Sequence, residues 1–243
     1  MNKASSDYSR RDFVSGIREN VEDDMGIKGI IFDLDGTLID SVGVWEKVDE
    51  VFFSKRGHEV PNNYGDAISV CGFYQAAVYT AELLNSPESP GEIIAEWNKI
   101  ALDLYKNSIL LMPYALEYLE HCKRAGLKMS VATASPPEVA EAVLRSNGIF
   151  DYFDAVLSVG GEIRGKDHSD IYIEAAKSME LRPKDCIVFE DLVKAAASAK
   201  ASGAYVYGIF DKGADKLGKA ADAYIENFSQ APRFYEIKAE LTE

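Results

Sequence analysis

The chain has 243 residues, 47% of them hydrophobic and 27% charged, and a formal charge of −14. That length can bury a large core and suits one sizeable domain or a domain with an insertion, and the composition excludes disorder as the general state. The acidic balance argues against a nucleic-acid partner, because phosphate backbones are bound by concentrated Lys and Arg, but a small anionic substrate stays open, since a local pocket field can oppose the overall sign.

Residues 1–24 carry Ser5, Ser6, Ser9 and Glu22-Asp23-Asp24 and lack the apolar stretch of a signal peptide. They read as an N-terminal extension, in which Val14, Ile17 and Val21 give a short helical spacing. Three scattered cysteines, Cys71, Cys122 and Cys186, make neither a disulfide framework nor a zinc pattern. The longest uncharged stretch, Ala67 to Ala81, is too short for a membrane span. A soluble cytoplasmic protein, monomeric and with no membrane partner, is the expectation.

The run from Ile27 to Leu38 organises the rest. Ile30-Ile31-Phe32 suits a strand covered on both faces, and it halts at Asp33 and Asp35, followed by Gly36-Thr37. In parallel sheets chemistry collects at this carboxyl end of the strands. Downstream, apolar spacing predicts a helix over Val42 to Lys55, ended by Gly57, and further helices over Ala76 to Leu84 and Glu92 to Tyr105, separated by a Pro- and Ser-rich turn. No strand is predicted from Gly57 to about Leu111, so 42–111 reads as an all-helical insertion. Pro113 then opens a helix to about Arg124, closed by Gly126.

An alternation follows: strand Leu127 to Ala132, helix Pro137 to Ser146, strand Ala155 to Ser158, helix Asp170 to Met179, strand Cys186 to Phe189, helix Leu192 to Ser202, strand Tyr205 to Ile209. This rhythm predicts a doubly wound parallel sheet of the α/β class. Ala223 to Ile225 adds an edge strand and Phe234 to Leu241 a closing helix.

Polar sites recur just past the predicted strands: Asp33 and Asp35, then Thr133 and Ser135, then Lys166, then Glu190-Asp191. In a parallel sheet they share one edge and can converge on one pocket. The residue types fit phosphoryl transfer. Asp33 is the candidate nucleophile, and Asp35 the acid that protonates a leaving oxygen and later takes a proton from water. Lys166 and Thr133 complete the catalytic set, opposing and positioning phosphate oxygens. Gly36, Thr37, Ala134 and Ser135 are candidate substrate contacts through loop N–H and hydroxyl groups. Carboxylates facing an anion call for a cation; Mg²⁺ prefers oxygen ligands, and Asp33, the backbone carbonyl of Asp35, Asp191 and Glu190 are its candidate holders. Taken singly, Ser135 reads as the N-cap of the helix at Pro137 and Glu190 as a partner of Lys166; Tyr74 and Gln75 sit where an insertion could face substrate.

Asp33-Leu34-Asp35-Gly36-Thr37-Leu38, then Val131-Ala132-Thr133-Ala134-Ser135, then Gly165-Lys166 ahead of Asp170, then Val188-Phe189-Glu190-Asp191 resemble, in order, the four motifs of the haloacid dehalogenase-like hydrolase superfamily. The helical insertion resembles the cap of its sugar-phosphatase and β-phosphoglucomutase branch. The resemblance implies a Rossmann-like core over 25–41 and 112–243, a cap over 42–111, Mg²⁺ dependence and an aspartyl-phosphate intermediate. It also implies that Asp35 selects phosphate-ester chemistry, since the dehalogenases lack this second acid.

Two departures stand out. The third motif usually reads Lys-Pro-x-Pro-Asp where this chain has Lys166-Asp167-His168-Ser169-Asp170, and Leu192 and Ala195 replace a usual Ser and Gly. The expected activity is hydrolysis of a small phosphorylated metabolite of sugar-phosphate type. A mutase is the alternative, but it must hold a second phosphate, and 42–111 has five Lys/Arg against ten Asp/Glu. A catalytically weak metabolite-binding protein is the alternative from another class.

Overall fold

Gly29–Phe32 forms β1, whose four side-chain positions are all buried. Alternation explains this: Ile30 and Phe32 enter one apolar cluster and Ile31 the other, so the strand is covered on both faces. The computed structural model describes residues 26–69, 73–160, 162–209 and 219–235. Within them β2 (Lys128–Thr133), β3 (Ala155–Ser158), β4 (Cys186–Glu190), β5 (Tyr205–Ile209) and β6 (Ala223–Ile225) join β1 in a six-stranded sheet of order β3-β2-β1-β4-β5-β6. Every pairing is parallel, as the alternation predicted.

The strand order reverses between β1 and β4, and crevices open at such a reversal beyond the carboxyl ends of the strands. Register decides what meets there. Phe32 pairs with Val131 on β2 and with Phe189 on β4, and the Asp33 amide continues the ladder to the Phe189 carbonyl at 3.0 Å. Asp33, Thr133 and Glu190 therefore emerge together at one edge.

Among the described residues five helices lie between β1 and β2, the first four being α1 (Val44–Ser54), α2 (Tyr64–Ser69), α3 (Phe73–Leu84) and α4 (Pro90–Asn107). Helix α4 starts with Ser89 accepting from the Glu92 amide while the Glu92 side chain accepts from Ser89, a capping box, with Pro90 at the first turn. It buries Ile93, Trp97, Ile100 and Tyr105, and α1 packs Val48 and Phe52 against it, Phe52 meeting Trp97 edge-on at 5.7 Å. The two crossings into the insertion pair with each other: Ile39 bridges Leu111, the Asp40 amide donates to the Leu110 carbonyl and the Met112 amide to the Leu38 carbonyl. The sequence reading missed α2, whose six residues are too short to show a helical period.

Helices α5 (Ala115–Arg124) and α6 (Pro137–Ser146) cover one face of the sheet, α7 (Asp170–Ser178) and α8 (Val193–Ala201) the other. Under α5 lies an aromatic cluster, with Phe32 stacked on Phe189 at 5.5 Å and Tyr118 on Phe228 at 5.4 Å. Truncating a ring of this kind to alanine costs about 3–5 kcal/mol. Helix α5 begins at Ala115 rather than Pro113, because Tyr114 takes a left-handed φ of 65° that no helical turn accommodates. Cys71, the 1–24 extension and most of the predicted helix over 234–241 lie outside the described residues. Among the described residues no helix is long and apolar enough to cross a membrane.

Candidate active site

Asp33 leaves β1 only 4% exposed and meets the ammonium of Lys166 at 2.5 Å through Oδ1. Lys166 also pairs with Glu190, which is fully buried at the end of β4. Burial works against the lysine's charge, but Asp33 and Glu190 outweigh it and hold Lys166 protonated well above its ordinary range. Both Glu190 oxygens have partners besides the lysine: Oε1 accepts from the Tyr172 hydroxyl at 2.8 Å, and Oε2 from the Asp191 and Leu192 amides at 3.1 and 3.2 Å. Glu190 thus ties α7, Lys166 and the loop after β4 into one unit.

Asp33 Oδ2 and Asp191 Oδ1 are the contrast, buried with no hydrogen-bond partner among the described residues. Ligand atoms of Asp33, Glu190 and Asp191 all lie within 4.8 Å of one another. Burial, and then the charge of Glu190, pushes the Asp33 carboxyl well above the usual range and that of Asp191 up to about 7. One lysine does not balance three carboxylates. Orphaned oxygens, excess negative charge and an all-oxygen donor set are the chemistry that accepts a hard cation. Gly36 opens room beside Asp191: a Cβ there would lie 2.4 Å from Asp191 Oδ2, and its φ of +76° favours glycine as well.

Asp35 is held by other hands. Its Oδ1 accepts from the Tyr105 hydroxyl at 2.5 Å, and its Oδ2 from the Ser135 hydroxyl at 2.7 Å and, more distantly, from Thr133 at 3.5 Å. Ser135 is therefore not the helix cap its position implied. Pro136 stands at the N-cap of α6 with no side-chain bond, and the serine hydroxyl turns to Asp35 instead. The Ser135 amide donates to the Thr133 hydroxyl, the Gly36 amide to the Ile39 carbonyl and the Thr37 amide to that of Leu34, so these N–H groups shape the loops in this conformation. Ala134 is exposed beside them.

The loop carrying Lys166 lacks the two usual prolines and is fastened by side chains instead. Arg164 grips Asp170 through two hydrogen bonds of 2.6 and 2.8 Å, which hold the Asp170 carboxyl down at about 2, and Ser169 donates to the Ser198 carbonyl at 2.7 Å. Leu192, where a serine was expected, is 60% exposed, and its amide still reaches Glu190. His168, Tyr74 and Gln75 are exposed. Two site residues escaped the sequence reading. Tyr172 sits beside the recognised Asp170, but its partner Glu190 lies on another element. Tyr105 lies on the apolar stripe of α4, where nothing separates it from core.

A family model, haloacid dehalogenase-like hydrolase, matches residues 27–203. The chain belongs to the haloacid dehalogenase-like hydrolase family. Among curated relatives it is 30% identical to Hexitol phosphatase B of Escherichia coli K12 over 182 residues, 72% of this chain and 80% of that one. It is 27% identical to the E. coli Fructose-1-phosphate phosphatase YqaB over 176 residues, 72% of this chain and 92% of the relative. The fold is shared with CbbY of Rhodobacter sphaeroides, solved with xylulose-(1,5)bisphosphate, at a TM-score of 0.67 and 21% identity, covering 84% of this chain and 95% of that one. The enzyme class expected from the motifs, a phosphatase, agrees with these relatives.

Proposed function

We propose that this protein is a Mg²⁺-dependent phosphatase that hydrolyses a small phosphorylated metabolite, of sugar-phosphate type, through an aspartyl-phosphate on Asp33. The observation that carries the reading is Asp33 itself: Lys166 fixes Oδ1, and Oδ2 is buried with no hydrogen-bond partner among the described residues, so in this reading Oδ2 attacks. In this reading residues 42–111 are the cap over a core formed by 25–41 and 112–243, and the substrate lies between them.

The reaction splits one displacement into two. Asp33 Oδ2 bonds to phosphorus as the ester oxygen leaves with a proton from Asp35; water then attacks, gives its proton to Asp35 and frees Asp33. Lys166, the Thr133 hydroxyl and the Ala134 and Ser135 loop hold the non-bridging oxygens that travel with phosphorus, and one such donor is worth on the order of 10² to 10³ in rate. Asp33 and Asp191 would hold Mg²⁺, with Glu190 and the Asp35 carbonyl beside them; when bound, the ion offsets the phosphoryl charge that these carboxylates would otherwise repel. Closure of the cap excludes water from the first step.

Hydrolysis is favoured over a mutase by how the cap spends its cations. Arg56 is bound to Glu88 and Glu96, Lys55 to Glu96 and Lys47 to Glu50, so three of its five Lys/Arg are already held by carboxylates. The test is phosphate release across a panel of sugar and hexitol phosphates, with wild type and Asp33→Asn. Loss of turnover in the variant, on the order of 10⁴-fold or more, and an acid-stable phosphate on the wild-type chain alone are expected. Turnover surviving in Asp33→Asn overturns the mechanism, sugar phosphate isomerised without phosphate release decides for the mutase, and ligand-induced stabilisation without turnover decides for a binding protein.

A further inference from the structure

We infer that Tyr105, on the last turn of α4, is a positioning residue that aims the proton-carrying oxygen of Asp35 at the leaving group. The inference rests on the phosphatase reading above. Tyr105 is 4% exposed, with its ring in the same apolar cluster as Trp97 and Ala101, while its hydroxyl donates to Asp35 Oδ1 at 2.5 Å. A ring buried within an apolar cluster presents its hydroxyl in one place. The opposite partner differs. Ser135 is a short side chain on a half-exposed loop, and its hydroxyl turns about a single bond.

Chemistry needs this asymmetry. For the first step Asp35 carries a proton on one oxygen, which passes to the ester oxygen as the P–O bond breaks and the Asp33–phosphorus bond forms. For the second, the same oxygen takes a proton from water as the water–phosphorus bond forms and Asp33 departs. Tyr105 keeps its own proton throughout. Because its bond occupies Oδ1, the proton is confined to Oδ2, the oxygen that Ser135 can release. An acid free to rotate would present the wrong oxygen part of the time, and general acid catalysis depends on such placement.

Tyr105 is also well sited for the task. Helix α4 ends at Asn107, and the two linkers pair just beyond, at Asp40 with Leu110 and Leu38 with Met112. A swing of the insertion about those linkers displaces a side chain near them less than one at the far end, so the contact can persist while the rest of the insertion moves.

The test compares kcat/KM of wild type, Tyr105→Phe and Ser135→Ala, full-length with Mg²⁺, on two esters. The leaving group of 4-nitrophenyl phosphate departs as a stable anion, whereas that of phenyl phosphate needs a proton more. Tyr105→Phe keeps the ring and its packing, so its cooperative melt is expected to survive. On phenyl phosphate it is expected to lose about tenfold, a fraction of a general acid's worth, against less than about threefold on 4-nitrophenyl phosphate. Equal losses on both esters, no loss, a variant without a cooperative melt, or a larger leaving-group dependence in Ser135→Ala each overturn the assignment. A wild type that turns over neither ester is a different result, because it removes the phosphatase reading and the inference with it.

Discussion

At the carboxyl edge of the sheet, Asp33, Glu190 and Asp191 gather around one lysine and leave two buried oxygens without partners among the described residues. The helical insertion is acidic too, but it disposes of its charges differently. Arg56 takes Glu88 through Nε and Nη2 and adds Glu96 through Nη2, Lys55 reaches the same Glu96, and Lys47 takes Glu50 one turn on. Paired charge at a half-exposed surface stabilises a helix pair, whereas buried and unbalanced charge costs stability and is kept for what it binds. Function in this chain is therefore expected where the electrostatics do not close, and Tyr105 is the point where the closed region reaches into the open one.

The strongest way to break this comparison is Lys166→Met. The edge would lose its cation and leave Asp33 and Glu190 facing each other, so phosphate release is expected to fall on the order of 10³-fold, with stability lower by about 3–5 kcal/mol in metal-free buffer. Urea denaturation beside the assay reads both, and a stable, active variant would show that the lysine is incidental. Next comes the cation the edge calls for. Chelation should abolish turnover reversibly, and Mg²⁺ should raise the melting temperature of the wild type but not of Gly36→Ala, whose added methyl would crowd Asp191. Activity of that variant is expected to drop about 10- to 100-fold, and an unaltered Mg²⁺-induced shift would move the ion site away from Asp191.

Arg56→Ala probes the other side. With its guanidinium half-buried between two carboxylates, stability is expected to fall by about 1–3 kcal/mol while kcat on the best substrate stays within about twofold. A large loss of turnover would give this network a share in catalysis. The smallest effect concerns Asp49 on α1, an exception to the paired pattern. Burial, with Glu46 adding to it, pushes its carboxyl from 3.8 up to about 7. The folded state thus holds a proton that the unfolded chain releases, and this contribution is complete below pH 3.8 and fades as pH rises through about 7. Asp49→Asn should melt about 2 °C above wild type at pH 8 and level with it near pH 4, by calorimetry. A difference that does not change with pH would place the cause elsewhere.

The contrast between the regions also governs how much was legible beforehand. The buried strands announced themselves as short β-branched runs, and the edge residues as polar sites following each strand, because both signals are local. Asp33, Asp35, Thr133, Ser135, Lys166, Glu190 and Asp191 are brought to one edge by the parallel register that the alternation predicted. The cap of α6 was misread, since a serine ahead of Pro136-Pro137 carries the same local signal whether its hydroxyl faces the helix or a carboxylate.

By itself the sequence determined the α/β architecture, the helical insertion, the family and the pair of carboxylates that suits phosphoryl transfer, all features set by short-range pattern and motif order. Only the tertiary structure decided that Tyr172 and two backbone amides anchor Glu190, that Arg164 fastens the loop the missing prolines leave, and that Tyr105 holds Asp35 across 70 positions of chain. The reason is physical. A hydroxyl on an apolar helical stripe looks the same in sequence whether it ends in the core or beyond it, and only packing fixes where its hydrogen points.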